Sequence, residues 1–142
     1  MRVLLDTNVL VSYLLTPTAG GSIGTIIDSL TSGAFTLLLP PDLLAELERV
    51  ATQKPQLAKR IRPNQLARLR DLLLAVGELL PPIEETIPAI TRDRKDDYLL
   101  AYAFVSAADY LVTGDDDILS LRQVGPLAIL SPPAFVKLLE ND

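Results

Sequence analysis

Short apolar runs alternate along the chain with longer segments in which apolar residues recur every three or four positions. Val3 to Leu5, Phe35 to Leu39, Tyr110 to Thr113 and Leu127 to Leu130 have strand length and are almost wholly apolar. Such runs fit strands buried on both faces. Gly77 to Leu80 is a weaker stretch of the same kind. Helices are predicted between them. Asn8 can cap one over Val9 to Leu15, and Ser22 can cap a second that stops at Gly33, a residue suited to the left-handed position after a helix. Pro41 suits the first turn of a helix continued by Asp42 to Thr52. Pro63 opens another, with Leu66, Leu69, Leu73 and Val76 at helical spacing. Asp97 opens an apolar helix through Ala107, and Ser131 can cap a last helix beginning at Pro132. Thr16 to Ser22 reads as a loop and lacks the Gly-Lys-Ser/Thr ending of a phosphate-binding loop.

Strands alternating with helices predict a three-layer α/β/α sandwich with a central parallel sheet. A length of 142 residues fits a single domain over residues 1–142. In such sheets the functional crevice lies at the carboxyl ends of the strands, so the residues that follow each strand matter most.

Composition narrows the chemistry. The chain has no Cys and no His. Disulfides, thiolate nucleophiles, imidazole bases and zinc sites of the usual Cys/His kind are excluded. Catalysis must use carboxylates, hydroxyls, Lys, Arg or hard metal ions. No apolar run reaches the roughly 18 residues of a membrane span, and Asp6 interrupts the start before a secretory segment can form. A cytoplasmic protein with no membrane partner is the expectation.

The acids follow the strands. Asp6 comes directly after the first, Glu46 lies in the helix after the second, Asp97 stands at the head of its helix, and Asp115 and Asp117 follow the Val112-Thr113 strand end. In a parallel sheet all five can converge on one rim. Clustered carboxylates raise one another's pKa values unless a cation compensates them. Mg²⁺ or Mn²⁺, as one or two ions, prefers such oxygen ligands, lowers the pKa of water and stabilises a phosphoryl transition state. Taken singly, Asp97 and Asp117 also suit helix caps, and Glu46 suits a solvent-facing position. Asp6 is harder to read in those ways, since strand ends do not favour Asp by propensity. Asp96 and Asp116 read as the solvated members of their runs, and Tyr98 and Tyr102 as packing residues. Thr113 offers a hydroxyl that can orient a ligand.

The net charge of −5 argues at first against a nucleic-acid partner. Its distribution argues otherwise. Residues 1–48 carry −4, residues 49–70 carry +7 with no acid, and residues 71–142 carry −8. The basic block reads either as a solvated helix face or as a strip that meets a polyanion.

Four segments in order resemble the PIN-domain ribonucleases: Val3 to Ser12 with Asp6-Thr7-Asn8, Pro41 to Leu47 with Glu46, Arg92 to Ala101 with Asp97, and Ala108 to Leu119 with Thr113-Gly114-Asp115-Asp116-Asp117. The resemblance covers almost the whole chain. It implies metal-binding roles for Asp6, Glu46, Asp97 and Asp115, a further acid at Asp117, and a supporting role for Asn8. It also implies Mg²⁺- or Mn²⁺-dependent hydrolysis of RNA. The basic block just after Glu46, with Arg49, Lys54, Lys59, Arg60 and Arg62, is then expected to guide the RNA backbone. The nearest branch of the family comprises toxins of bacterial toxin–antitoxin pairs, which implies an antitoxin protein as partner and a homodimer. Two other readings are a catalytically silent member that binds RNA or a partner, and a receiver- or haloacid-dehalogenase-type phosphoryl-transfer protein. The latter lacks its expected residues: Asn8 stands where a dehalogenase needs a second Asp, and the only late Lys is Lys137.

Overall fold

The computed structural model describes residues 1–16, 21–89, 91 and 93–141. Strand β1 (Arg2–Leu5) leads to helices α1 (Thr7–Leu15) and α2 (Gly21–Thr31). Strand β2 (Thr36–Leu39) leads to α3 (Leu43–Gln53), α4 (Pro55–Ala58) and α5 (Pro63–Val76), and β3 (Glu78–Leu79) leads to α6 (Arg94–Val105). Then come β4 (Tyr110–Val112), α7 (Asp116–Leu119), β5 (Gln123–Val124), β6 (Leu127–Leu130) and α8 (Pro132–Glu140). The strands form one sheet in the order β3-β2-β1-β4-β6-β5. Neighbours are parallel except at the edge, where β5 runs antiparallel to β6.

Burial on both faces is why the strands read as continuous apolar runs. Val3, Leu5, Leu37, Leu39 and Val112 pack into a core shared with α1, α2, α3, α5 and α8. Leu4, Leu38, Leu111, Leu127 and Ile129 point the other way, into the core under α6 and α7. Val3, Leu4 and Leu5 retain no exposed surface, and burying each contributes roughly 1.5–3 kcal/mol. The chain lays β2 and β3 on one side of β1 and then returns to place β4 on the other. This makes the junction of β1 and β4, with Leu5 opposite Val112, the switch point where a crevice opens.

Several boundaries differ from expectation. Helix α1 begins at Thr7 with Asp6 at the capping position, so Asn8 lies inside the first turn and its side chain is free for other work. Ser22 lies within α2 rather than before it, and residues 17–20 of the expected loop fall outside the described residues. Gly33 stands where expected, with φ +80°, and the amides of Gly33 and Ala34 close the end of α2 on Leu30 and Ser29. Helix α6 begins three residues before Asp97, because the Asp93 carboxylate accepts from the Lys95 amide at 2.9 Å and caps it. It stops at Val105, short of Ala107. Elements α4, α7 and β5 are too short to leave a periodic signal.

The end of α6 carries local strain. Ala107 has φ +56°, while Ala107 N donates to Phe104 O at 3.2 Å and Ala108 N to Ala103 O at 2.8 Å. This is the left-handed helix ending that glycine favours, held here by a residue with a Cβ. Ala107→Gly relieves the Cβ clash and loses part of that gain to the more flexible unfolded chain. We predict a net stabilisation of about 0.5–1 kcal/mol, seen as a melting temperature a few degrees higher. An unchanged or lower melting temperature contradicts this account of the helix end.

Candidate functional site

Asp6 stands where β1 ends, fixed from three sides. Its amide donates to Val112 O across the β1–β4 junction at 2.9 Å. The Thr113 hydroxyl donates to Asp6 Oδ2 at 2.8 Å and accepts from the Asp115 amide at 3.0 Å. Asn8 Nδ2 donates to Asp6 Oδ2 at 3.2 Å, and Asn8 Oδ1 accepts from the Gly114 amide at 3.1 Å. Asn8 and Thr113 therefore tie the turn after β4 to the turn after β1. Thr113 has no exposed surface, so its hydroxyl needs the partners it has. The Asp117 amide donates to Asp115 Oδ1 at 2.9 Å, which fixes Asp115 in turn.

These turns border a cavity of 460 Å³ that also takes in Glu46 from α3 and Asp93, Lys95 and Asp96 from the start of α6. Glu46 accepts from the Thr7 hydroxyl at 3.5 Å and faces Lys95 Nζ at 3.7 Å. Of the predicted acids, the fold brings Asp6, Glu46 and Asp115 to this cavity. Asp117 does not line it and acts there through its charge. Asp97 lies elsewhere. It is buried on the side of α6 that faces the segment after β3, and its Oδ1 accepts from the Thr91 amide at 2.6 Å and the Thr91 hydroxyl at 2.9 Å. It anchors that segment to the helix. Asp96, expected to be solvated, takes its place in the cavity. The Asp93 cap sets the phase of α6, so that residues 93 and 96, three apart, share one face. That spacing at a helix start is the signal from which Asp96 was legible.

The electrostatics mark the same set. Burial pushes the Asp6 carboxyl up; hydrogen bonds from Thr113 and the Thr7 amide oppose this, and Glu46 and Asp115 add to it. Asp96 is pushed up to about 6, first by burial and then by the charges of Asp115, Asp93, Asp6 and Asp117. The acids thus face one another with too little positive charge between them. As the side chains stand, no group of three or more among the described residues is arranged to hold a metal ion. Glu46 is drawn aside by Lys95 and Asp93 is engaged as a cap. The donor set itself, carboxylate oxygens with no nitrogen or sulfur ligand, fits a hard divalent cation.

The basic block divides. Lys54 lines the acidic cavity, and Arg49 borders an adjoining one. Arg62 lies with Arg70 on a separate groove of 380 Å³ between α3 and α5. Lys59 and Arg60 are exposed in the turn after α4. One continuous strip is not what the fold makes of residues 49–70.

A parallel α/β sheet with carboxylates gathered at its switch point defines the class of protein. Residues 2–117 match the model of the PIN domain family, and the chain belongs to that family. PIN domains are generally nucleases that use divalent metals. Among solved structures the chain is similar to VapBC2 from Rickettsia felis, crystallised bound to a DNA fragment from their promoter. The TM-score is 0.59 and the identity 16%, over 92% of this chain and 98% of that one. At that identity the likeness is one of fold. No curated protein matches the chain. Among the described residues, no helix is long and apolar enough to cross a membrane.

Because Asp96 titrates higher in the folded state than its usual 3.8, its contribution to stability is full below pH 3.8 and is lost as the pH rises through about 6. Without metal ions, Asp96→Asn is therefore expected to raise the melting temperature at pH 7.5. The gain shrinks as the pH falls through 6 toward 4. The side chain is only partly buried, so solvent screening keeps the effect small. A lower melting temperature for Asp96→Asn at pH 7.5 in EDTA contradicts the repulsion described.

Proposed function

We propose that the protein is an Mg²⁺- or Mn²⁺-dependent endoribonuclease, the toxin of a toxin–antitoxin pair. The observation that carries this reading is the set Asp6, Glu46, Asp96 and Asp115 around one cavity at the carboxyl ends of β1 and β4. These four are the residues that would hold one or two ions, with Asp96 in the role first expected of Asp97. When bound, a hard divalent cation supplies Lewis-acid stabilisation of charge on phosphoryl oxygens and makes water more acidic. The chain's own residues orient the site. Thr113 and Asn8 keep Asp6 turned into the cavity, and the Asp117 amide holds Asp115. Lys95 and Thr7 hold Glu46 in reserve at the rim. Lys54 and Arg49 offer positive charge where a phosphate backbone approaches the acids. Lys59, Arg60 and Arg62 lie further out and contribute through long-range attraction. The toxin reading, its antitoxin partner and a homodimer rest on the family branch that the motifs resemble. The likeness in fold to VapBC2 supports it.

Cleavage of defined single-stranded RNAs tests the reading. Wild type is expected to cut with millimolar Mg²⁺ or Mn²⁺ and not in EDTA. Asp6→Asn and Asp96→Asn should fold and lose activity by about a hundredfold or more, as loss of several kcal/mol of transition-state stabilisation requires. Undiminished cleavage by Asp6→Asn rules out the site. Millimolar Mg²⁺ should also raise the melting temperature of wild type but not of Asp6→Asn, since only the assembled acids bind it.

A further inference from the structure

Beside the acidic cavity lies a second one of 440 Å³, between the exposed face of α3 and the first turn of α6. Glu46 and Lys95 line both cavities and form the wall between them. On the far side of that wall, Arg49 projects from α3 and Arg94 from α6. Arg49 is one turn from Glu46, and Arg94 is one turn from Tyr98, so each arginine shares a helix face with a residue that lines the cavity. Tyr98 is held in place. Its oxygen accepts from the Asp42 amide at 3.1 Å, which ties the two helices together. Its ring lies against Tyr102, with centroids 4.7 Å apart. Tyr98 thus forms a floor tied to the start of α3, and the two cations line the same cavity from α3 and α6. Within the cavity lining, Lys95 already faces Glu46. Asp42 is the other acid there, and it sits at the start of α3.

We infer that Arg49 and Arg94 form a phosphate subsite, which takes an RNA backbone phosphate flanking the one presented to the acids. The inference rests on the ribonuclease reading above. Two guanidinium groups approaching from opposite helices can contact different oxygens of one phosphate, a geometry that arginine's planar fork suits. Because Glu46 and Lys95 line both cavities, a phosphate in one would neighbour a phosphate of the same strand in the other. Lys95 then stands between two bound phosphates. Arg94 is exposed and in the first turn of α6, so its substitution leaves the core untouched.

The test is equilibrium binding of a short fluorescein-labelled single-stranded RNA in EDTA, followed by polarisation across a range of salt. Arg49→Ala and Arg94→Ala are compared with Lys137→Ala, which removes the same charge from α8. Each arginine variant is expected to bind at least about tenfold more weakly than wild type, as loss of a charge-assisted contact implies. Lys137→Ala should bind like wild type. In the double variant, the slope of log affinity against log salt should fall by about 0.7, the value for one neutralised phosphate on a single strand. Arginine variants that bind with wild-type affinity and slope overturn the subsite, while metal-dependent cleavage that needs Asp6 still stands. A wild type that neither binds nor cleaves RNA overturns both readings.

Discussion

The hydrogen bond from the Thr113 hydroxyl to Asp6 is the contact on which the site depends. β1 and β4 are adjacent and parallel, and the chain leaves both at the same end. The hydroxyl is wholly buried between them. It donates to Asp6 and accepts from the Asp115 amide, so one atom sets the direction of two carboxylates. Asn8 repeats the arrangement from the first turn of α1, bonded both to Asp6 and to the turn after β4. Neither residue carries charge. Each holds an acid in a place where burial and neighbouring acids act against its ionisation.

That opposition has a structural consequence. Several carboxylates around one cavity cost stability in the absence of cations. The chain offsets part of this cost locally, with Lys95 against Glu46 and the α6 cap on Asp93. It offsets more through the sheet, whose two apolar faces are packed without exposed surface at Val3, Leu4, Leu5, Leu37, Leu38 and Leu39. A rigid, doubly covered sheet can carry an electrostatically unfavourable rim. A cation bound at the rim would release much of that repulsion.

Much of this was legible in the sequence. The apolar runs marked the main strands, Gly33, Pro63 and Pro132 marked helix limits while Pro41 lies in the turn before α3, and the acids after strands pointed to the switch point. The misplacements share a cause. Helix α1 starts at Thr7 and α6 at Arg94, two and three residues before the starts that Val9 and Asp97 suggest, and a shift of one residue turns a helical side chain by about 100°. Asp97, expected in the cavity, bonds to Thr91, while Asp96, expected to be solvated, lines the cavity. The Asp93 cap decides this, and its trace in the sequence is the three-residue spacing from Asp93 to Asp96. The basic block misled in another way. Seven cations within 22 residues look continuous in the sequence, but Arg49, Lys54 and Arg62 line three different cavities. Arg94, outside the block, lines the same cavity as Arg49.

The central claim is that Asp6, Glu46, Asp96 and Asp115 form one metal site. It is tested most directly by Mn²⁺ titration followed by electron paramagnetic resonance of the free ion. Wild type is expected to take up Mn²⁺, and both Asp6→Asn and Asp96→Asn to bind it at least about tenfold more weakly, as the loss of a charged oxygen ligand implies. Equal uptake by wild type and these two variants, or no uptake by wild type, contradicts the account.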